Sequence, residues 1–274
     1  IDQGVNLVDT APCYGNGASE KIVGEALRGI PRDQILISTK FGLITDVYSG
    51  EYIKHASYKS VMREVESSLM NLETDYIDFY YVHWQDVNTP IDETMAALNT
   101  LKKQGKIRFL GVSNFSAEQI LAAEEYADID VQQPPYSMVN QKFTGLMKWG
   151  YERGIDSMTY GSLGSGILAG AIRTMPDFKP GDMRLTFYDF FREPVFSKIM
   201  EFLKTMDRIA EGHGVPVAQV ALNWSTQKEF VGTALCGVRN EQEAAQNCKA
   251  FEWKLAEDEI AALDQGLARF NIGF

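Results

Sequence analysis

The sequence has little cysteine and little histidine, and neither type is spaced as a disulfide or metal site requires. The cysteines are too scattered for a disulfide framework or a Cys-x-x-Cys motif, which is typical of a cytoplasmic protein in a reducing compartment. The histidines show no His-Glu-x-x-His spacing, so we expect no catalytic zinc. These residues are Cys13, Cys236 and Cys248, and His55, His83 and His213.

Basic residues are in the minority, and long hydrophobic runs are lacking. Lysine and arginine number 26 against 37 acidic residues, a net charge of −11, which disfavours broad binding to nucleic acid or to an anionic membrane. No apolar run approaches the roughly 18–20 residues that span a bilayer. A hydrophobic fraction of 45% excludes a disordered chain. We therefore expect an ordinary globular protein.

What the chain does contain is a regular alternation of short apolar runs and amphipathic helical stretches. The runs are almost continuously hydrophobic, which is typical of parallel strands covered on both faces. The predicted strands are Val5–Asp9, Ile35–Lys40, Ile77–His83, Arg108–Ser113, Ile129–Gln133, Ile155–Tyr160 and Gly232–Gly237. This α/β pattern suits a barrel that lacks one strand or an open doubly wound sheet, and the strand count favours the barrel. No break in composition divides the chain, so we expect one domain over residues 1–274.

Two connections, at residues 41–56 and 169–194, are longer than is usual for this class of fold. Long connections that follow strands in a compact α/β domain tend to face the substrate. Both carry aromatic residues, and a tryptophan directly follows the third predicted strand. We therefore expect an aromatic substrate pocket that includes Trp84, Tyr48, Phe187 and Tyr188.

Chemically versatile side chains stand where three predicted strands end. The first strand ends at Asp9 and leads to Tyr14, the second ends at Lys40, and the third ends at His83. Each of them alone is more often structural than functional. Together, Asp9 can neutralise the ammonium of Lys40, and Lys40 beside a phenol would make Tyr14 a better acid. With His83 donating to a substrate oxygen, the set suits carbonyl reduction, in which Tyr14 protonates the oxygen as hydride reaches the carbon.

These residues belong to a set of motifs that resembles the aldo-keto reductase family over essentially the whole chain. The motifs are Gly4–Ala11, Tyr14-Gly15, Ser19-Glu20, Gly24, Thr39-Lys40, Val82-His83, Gly105–Arg108, Gly111–Phe115, Gly237–Asn240 and Asn247. The resemblance implies an NAD(P)H-dependent reductase on a (β/α)8 TIM barrel, with Asp9, Tyr14, Lys40 and His83 as its catalytic residues. Since the chain begins at Ile1 rather than methionine, we also expect the family's N-terminal hairpin and first barrel strand to be missing from it.

The resemblance also assigns residues to the nicotinamide cofactor. Ser113, Asn114 and Gln133 would hydrogen-bond the carboxamide, and Tyr160 would stack on the nicotinamide ring. Small residues after the sixth predicted strand would let backbone N–H groups approach a phosphate. The expected phosphate and adenine contacts are Ser162, Leu163, Gly164, Gly166, Gly237, Arg239 and Asn247.

The sequence gives opposing signs for the choice between the two nicotinamide cofactors. Arg239 could neutralise a 2′-phosphate, whereas the carboxylate of Glu243 near that phosphate would repel it. We expect NADP(H), with NAD(H) as the alternative. The segment 15–20 has Glu20 at the third glycine position of Gly-x-Gly-x-x-Gly, so a Rossmann site is disfavoured.

Two other functions stay open at this point. A lysine at the end of a barrel strand could form a Schiff base with a carbonyl substrate, as in aldolases, and Lys40 is the candidate. Some members of the aldo-keto reductase family are instead non-catalytic regulatory subunits that bind the cofactor. In every case the expected ligand is a small molecule, and for the reductase it is a carbonyl compound or an alcohol.

Overall fold

The computed structural model of the protein describes residues 1–46, 48–182 and 184–273. Backbone contacts group the chain into two compact units. Unit 1 comprises Ile1–Pro134 and Gly150–Asp156, and unit 2 comprises Pro135–Trp149 and Ser157–Phe274. That the chain forms a single domain stays a prediction.

The strands in the described part of the chain fall into a parallel set and an antiparallel hairpin. They are β1 (Leu7–Asp9), β2 (Leu36–Phe41), β3 (Leu43–Thr45), β4 (Tyr52–Lys54), β5 (Ile77–Val82), β6 (Ile107–Ser113), β7 (Val131–Gln133), β8 (Asp156–Thr159) and β9 (Thr233–Ala234). In unit 1, β1, β2, β5, β6 and β7 pair in parallel in that order. In unit 2, β8 pairs in parallel with β9.

Helices follow the parallel strands along the chain. They are α1 (Ala18–Leu27), α2 (Tyr58–Leu72), α3 (Ile91–Lys103), α4 (Ala117–Glu124), α5 (Thr144–Glu152), α6 (Arg184–Phe187), α7 (Val195–His213), α8 (Val217–Thr226), α9 (Glu241–Cys248) and α10 (Glu257–Phe270). Short 3₁₀ segments occur at Arg32–Gln34, Gly164–Ala169, Asp189–Phe191 and Lys249–Phe251. No helix of the described residues is both long and apolar enough to cross a membrane.

Local sequence explains where these elements form. Helix α2 buries Val61, Val65, Leu69 and Leu72, whose spacings of three and four place them on one face of the helix. Helix α4 begins with a capping box, in which Ser116 accepts from the backbone N–H of Gln119 and the Gln119 side chain accepts from that of Ser116.

All seven predicted strands are present, although several are shorter than predicted. Strand β9 spans only Thr233–Ala234 of the predicted Gly232–Gly237, and β5 ends at Val82, so that His83 follows it. Strand β2 continues one residue beyond Lys40 and ends at Phe41. The long connection at 41–56 contains the β3–β4 hairpin, in which Leu43 pairs with Lys54. Its strands are only three residues long and β4 is exposed along its length, so the hydrophobic pattern that identifies a buried strand is lacking there.

Unit 2 has a core of its own, made by helices α7, α8 and α10 around large aromatic residues. Tyr136 stacks on Trp224 with ring centroids 5.7 Å apart, and both rings are fully buried. The indole N–H of Trp224 donates to Asp264 at 2.7 Å, so the one polar atom of that ring is satisfied. The helices of this unit therefore pack around buried aromatic rings.

Candidate active site

A buried ion pair between Asp9 and Lys40 is the centre of the candidate site in unit 1. Nζ of Lys40 donates to Oδ2 of Asp9 at 2.7 Å and to the backbone carbonyl of Thr10 at 2.8 Å. The side chain of Lys40 is 1% exposed and that of Asp9 is 13% exposed. A charge this deeply buried needs both a counter-ion and further hydrogen bonds, and these partners supply them.

Strand register explains why this pair forms. In the parallel pairing of β1 with β2, Asp9 lies opposite Ser38. Since alternate residues of a strand share a face, Ser38 and Lys40 point the same way, and both side chains reach Asp9. The Ser38 hydroxyl donates to Oδ1 of Asp9 at 2.6 Å. Two residues of β2 therefore hold the Asp9 carboxylate, with one hydrogen bond to each of its oxygens.

Tyr14 lies on the loop between β1 and α1, where turns fix the backbone. Its N–H donates to the carbonyl of Ala11 at 3.0 Å, and that of Gly17 donates to the carbonyl of Pro12 at 2.7 Å. The ring centroid of Tyr14 is 5.5 Å from Nζ of Lys40. Its side chain is partly open to solvent, at 45% exposure. The phenol thus lies beside the buried ammonium and is still accessible to a substrate.

His83 directly follows β5 and its ring contacts that of Tyr14. The two rings meet edge to face with centroids 6.1 Å apart. Burial, together with the nearby charge of Lys40, lowers the pKa of His83 to about 3. The imidazole is therefore neutral at physiological pH, with one N–H and one bare nitrogen.

Residues at the ends of β6 and β7 are tied to the same cluster. Asn114 has a left-handed backbone (φ 59°), which asparagine tolerates, and its Nδ2 donates to the His83 carbonyl at 3.0 Å. Ser113 donates to the carbonyl of Gln133 at 2.9 Å. Nε2 of Gln133 in turn donates to Oδ1 of Asp9 at 3.0 Å. The residues predicted to bind the carboxamide thus also position the backbone of His83 and the carboxylate of Asp9.

In unit 2, Tyr160 follows β8 and begins the small-residue segment. Burial and an electrostatic interaction with Tyr188 raise the pKa of Tyr160, so its phenol is neutral. Ser162 is buried, and its hydroxyl donates to the carbonyl of Leu235, just past β9, at 2.8 Å. The segment is thereby fixed to the end of the neighbouring strand.

The backbone of this segment makes tight turns. Gly164 has a φ of 56°, and a Cβ there would lie 2.7 Å from a methyl group of Val139, so only glycine fits. The N–H of Gly164 donates to the carbonyl of Gly161, and that of Gly166 donates to the carbonyl of Leu163. Both of these N–H groups were predicted to bind phosphate, but in the structure they form hydrogen bonds within the segment 161–166 itself.

Among the residues predicted near the adenosine phosphate, Arg239 lies just before α9 and pairs with Glu243 in the first turn of that helix. The guanidinium of Arg239 bonds Oε1 of Glu243, with Nε at 3.0 Å, and the Arg239 backbone N–H donates to Oε2 at 2.9 Å. Hydrogen bonds from Arg239 lower the pKa of Glu243. Nδ2 of Asn247 donates to Sγ of Cys236 at 3.2 Å. Arg239 nevertheless stays open to solvent, with 84% of its side chain exposed.

The predicted substrate-pocket residues are distributed over both units. In unit 1, Tyr48 is 97% exposed near the turn of the β3–β4 hairpin, and Nζ of Lys54 lies 4.9 Å from the ring centroid of Trp84. In unit 2, Phe187 and Tyr188 contact each other with ring centroids 5.1 Å apart. Tyr48 is thus placed in solvent rather than among other side chains, and the role of all four stays a prediction.

Each unit also contains a cavity. That of unit 1, of about 610 Å³, lies between the Tyr14 loop, the β3–β4 hairpin and α2, and Cys13 and Glu64 are among its lining residues. That of unit 2, of about 500 Å³, is lined by residues of α8, β9 and the segment 250–254. Burial raises the pKa of Glu64 to about 7, so its carboxyl is partly protonated at neutral pH.

Several contacts of the site were not predicted from the sequence, and three of them differ in the signal that the sequence offers. The Ser38 bond to Asp9 could have been found, because Ser38 shares a face with Lys40 in an alternating strand. The Arg239–Glu243 pair could also have been found, because a spacing of four places two side chains together on a helical turn. The third, between Cys13 and His83, joins residues 70 positions apart and has no local signal.

The chain matches one protein family and named reductases with known sequences. The model of the aldo/keto reductase family matches residues 1–268. An NADH-specific methylglyoxal reductase of Escherichia coli is 34% identical over 266 residues, which cover 93% of this chain and 81% of that protein.

Solved structures agree with these matches. A glycerol dehydrogenase from Gluconobacter oxydans superposes with a TM-score of 0.91 and 34% identity, over 98% of this chain and 83% of that one. An aldo-keto reductase from Klebsiella pneumoniae in complex with NADPH gives a TM-score of 0.74 and 29% identity, over 96% and 80% of the two chains.

Proposed function

This chain belongs to the aldo/keto reductase family, and we propose that Asp9, Tyr14, Lys40 and His83 are the residues with which it acts. The protein is an NAD(P)H-dependent oxidoreductase that interconverts a carbonyl compound and an alcohol. Its fold class is the predicted α/β TIM barrel of the family. The observation that carries the assignment of residues is the buried Lys40, held by Asp9 and 5.5 Å from the Tyr14 ring.

Tyr14 is proposed as the proton donor. As the carbonyl carbon is reduced, its oxygen becomes an alkoxide and takes the phenolic proton of Tyr14. The ammonium of Lys40 has three donors, of which two bond Asp9 and Thr10, and its charge favours the phenolate that Tyr14 leaves behind. Both bonds engage Nζ of Lys40 with protein atoms, so the geometry favours a structural ion pair over Schiff-base chemistry at this residue.

His83 is proposed to bind and orient the carbonyl oxygen. A neutral imidazole donates one hydrogen bond without competing for the proton of Tyr14. The edge-to-face contact of its ring with that of Tyr14 supports a role for both side chains at one carbonyl oxygen. The bond from Asn114 to the His83 carbonyl fixes the backbone at this point.

The residues present suit a nicotinamide cofactor in their chemistry. Bound there, NAD(P)H supplies the hydride. In unit 1, the Ser113 hydroxyl and the amides of Asn114 and Gln133 match the donor and acceptor pattern of a carboxamide. In unit 2, Tyr160 keeps its phenol neutral and would stack on the ring. The backbone N–H groups of Ser162 and Leu163, rather than those of Gly164 and Gly166, and the exposed Arg239 would bind the phosphates.

The proposed cofactor preference is for NADPH. Its 2′-phosphate would compete with Glu243 for Arg239, and a dianion is the stronger partner for a guanidinium that is 84% exposed. NADH stays the alternative, because Glu243 already neutralises Arg239 and one relative is named as NADH-specific. The three free thiols support a location in the reducing cytoplasm.

Oxidation of NADPH and NADH in the presence of aldehydes and ketones, followed by absorbance with the full chain, tests this function. The panel begins with methylglyoxal, and glycerol with the oxidised cofactors tests the reverse direction, because two relatives carry these substrates in their names. We expect turnover with at least one small carbonyl compound. Cofactor binding without turnover on the whole panel would favour a regulatory subunit instead.

A further inference from the structure

Cys13 touches the proposed carbonyl-binding histidine from the side of the Tyr14 loop. Its Sγ lies 3.7 Å from Nδ1 of His83, within the range of a hydrogen bond that involves sulfur. The thiol is buried, at 6% exposure, and its backbone carbonyl accepts from the Tyr52 hydroxyl of the β3–β4 hairpin at 3.4 Å. The position of the sulfur is therefore fixed by packing.

We propose that Cys13 is a positioning residue, whose S–H donates to Nδ1 of His83 and thereby keeps the imidazole proton on Nε2. This inference rests on the proposed function, in which His83 donates to the carbonyl oxygen. Only one nitrogen of a neutral imidazole carries a proton, and the bond made by the other nitrogen decides which one it is. With Nδ1 as the acceptor, Nε2–H is the donor that faces the substrate.

The protonation states of both partners support this direction of the bond. Burial raises the pKa of the Cys13 thiol to about 11, although the charge of Lys40 acts to lower it. The pKa of His83 is about 3. Across the physiological pH range the pair is thus a neutral thiol and a neutral imidazole. The hydrogen bond between them is then donated either by the S–H of Cys13 or by an Nδ1–H of His83.

The two possible arrangements differ in the quality of the acceptor. Imidazole nitrogen is a good acceptor, whereas a thiol sulfur is a weak one. If Nδ1 carried the proton, it would have to donate to sulfur, and Nε2 would be a bare nitrogen with no proton for the carbonyl oxygen. The S–H···Nδ1 arrangement satisfies Nδ1 and leaves the N–H where the reaction needs it.

Nitrogen-15 NMR of the full chain labelled at histidine tests the tautomer directly. His83→Gln identifies the His83 signals among those of the three histidines. We expect the wild-type protein to carry the proton on Nε2 and Cys13→Ala to shift a substantial fraction of it to Nδ1. A wild-type proton on Nδ1 would overturn the proposal. This measurement needs no substrate, so it stands even where the proposed activity fails.

Kinetics with the best substrate of the panel tests whether the tautomer matters. Cys13→Ala should lower kcat/KM about tenfold, as the loss of a partner that orients a histidine typically does, with an unchanged cofactor Kd. Cys13→Ser retains an O–H donor and should stay within about threefold of the wild type. Cys248→Ala, which removes a thiol on α9, is the matched control and should have no effect.

A combined variant separates positioning from packing. In a His83→Gln background, Cys13→Ala should reduce kcat/KM by less than about twofold further, because the residue through which it acts is already gone. Equal losses for the alanine and serine variants, or a full tenfold loss in the His83→Gln background, would show that Cys13 acts by packing alone. If Cys13→Ala does not fold, the wild-type spectrum and the serine variant still decide.

Discussion

The candidate catalytic residues of unit 1 and the candidate cofactor residues of unit 2 are held in different ways. In unit 1, Asp9 receives bonds from Ser38, Lys40 and Gln133, which come from β2 and β7, and the Lys40 side chain is buried. In unit 2, the exposed Arg239 lies just before α9 and pairs with Glu243, four residues away in the first turn of that helix. The first arrangement is built by tertiary packing, and the second by local pairing.

The two arrangements imply different free-energy costs of rearranging side chains when a substrate or a cofactor binds. Donors and acceptors that are fixed before the substrate arrives need no rearrangement at the moment of reaction, which suits the proton transfer proposed for unit 1. An exposed ion pair has little net strength, so Arg239 can leave Glu243 for a phosphate at small cost. The two regions thus match the two tasks proposed for them, chemistry and cofactor exchange.

The largest expected effect comes from breaking the buried pair. Lys40→Met leaves the Asp9 carboxylate without its counter-ion, which should lower the free energy of unfolding by about 3–5 kcal/mol and abolish measurable turnover. Urea unfolding and steady-state kinetics check both. The double variant Asp9→Asn with Lys40→Met should recover part of the stability but none of the turnover. A stability loss below about 1 kcal/mol would contradict our view of unit 1 as a packed, preorganised network.

Tyr14→Phe should have the next largest effect on turnover. It removes the proposed proton donor while keeping the ring and its contacts, so kcat should fall at least ~10²-fold with an almost unchanged cofactor Kd. Single-turnover kinetics and cofactor fluorescence titration measure the two quantities. Unchanged turnover would remove Tyr14 from its proposed role, and Tyr126→Phe, at an exposed ring outside the site, is the matched control.

The buried carboxyl of Glu64 should make stability depend on pH. Its pKa is raised from 4.5 to about 7 by burial, so between these values the folded protein binds more protons than the unfolded chain. The stabilising contribution is complete below pH 4.5 and is lost as the pH rises to about 7. Glu64→Gln should match the wild type near pH 5 and exceed it near pH 8, by at most about 3 kcal/mol.

The glutamine of the Glu64→Gln variant could keep the bonds that the carboxyl makes to the backbone N–H of Gly42 and to Ser60, so this substitution tests charge rather than packing. Urea unfolding of both proteins at the two pH values measures the difference. A difference of the same size at pH 5 and pH 8 would show that burial of the charge is not its cause. Glu243→Gln, at a partly exposed position, is the control and should show no comparable pH dependence.

The smallest effect is expected in unit 2. Glu243→Gln releases Arg239 and should tighten NADPH relative to NADH by roughly two- to fivefold, because exposed ion pairs are weak. Arg239→Gln should weaken NADPH and leave NADH nearly unchanged. Fluorescence titration with both cofactors gives the ratio of Kd values. If Arg239→Gln changes both affinities equally, Arg239 does not bind the 2′-phosphate, and the contrast between the two units needs another explanation.

The parts of the fold that could be predicted are those with a local pattern. Buried parallel strands such as β2 and β5 are continuous apolar runs, and their ends identified Lys40 and His83. The β3–β4 hairpin was missed because its strands are short and largely exposed. The sequence also marked Arg239 and Glu243 as opposing influences on a phosphate, but not as partners of each other.

The amino-acid sequence by itself determined the family, the order of strands and helices, and the identity of the polar residues at the strand ends, because hydrophobic periodicity and motif spacing are properties of neighbouring residues. Only the tertiary structure decided which of those residues touch. The bonds of Gln133 to Asp9 and of Cys13 to His83 join positions that are 124 and 70 residues apart. Burial, which lowers the pKa of His83 and raises that of Glu64, is likewise a property of everything packed around a group rather than of its place in the chain.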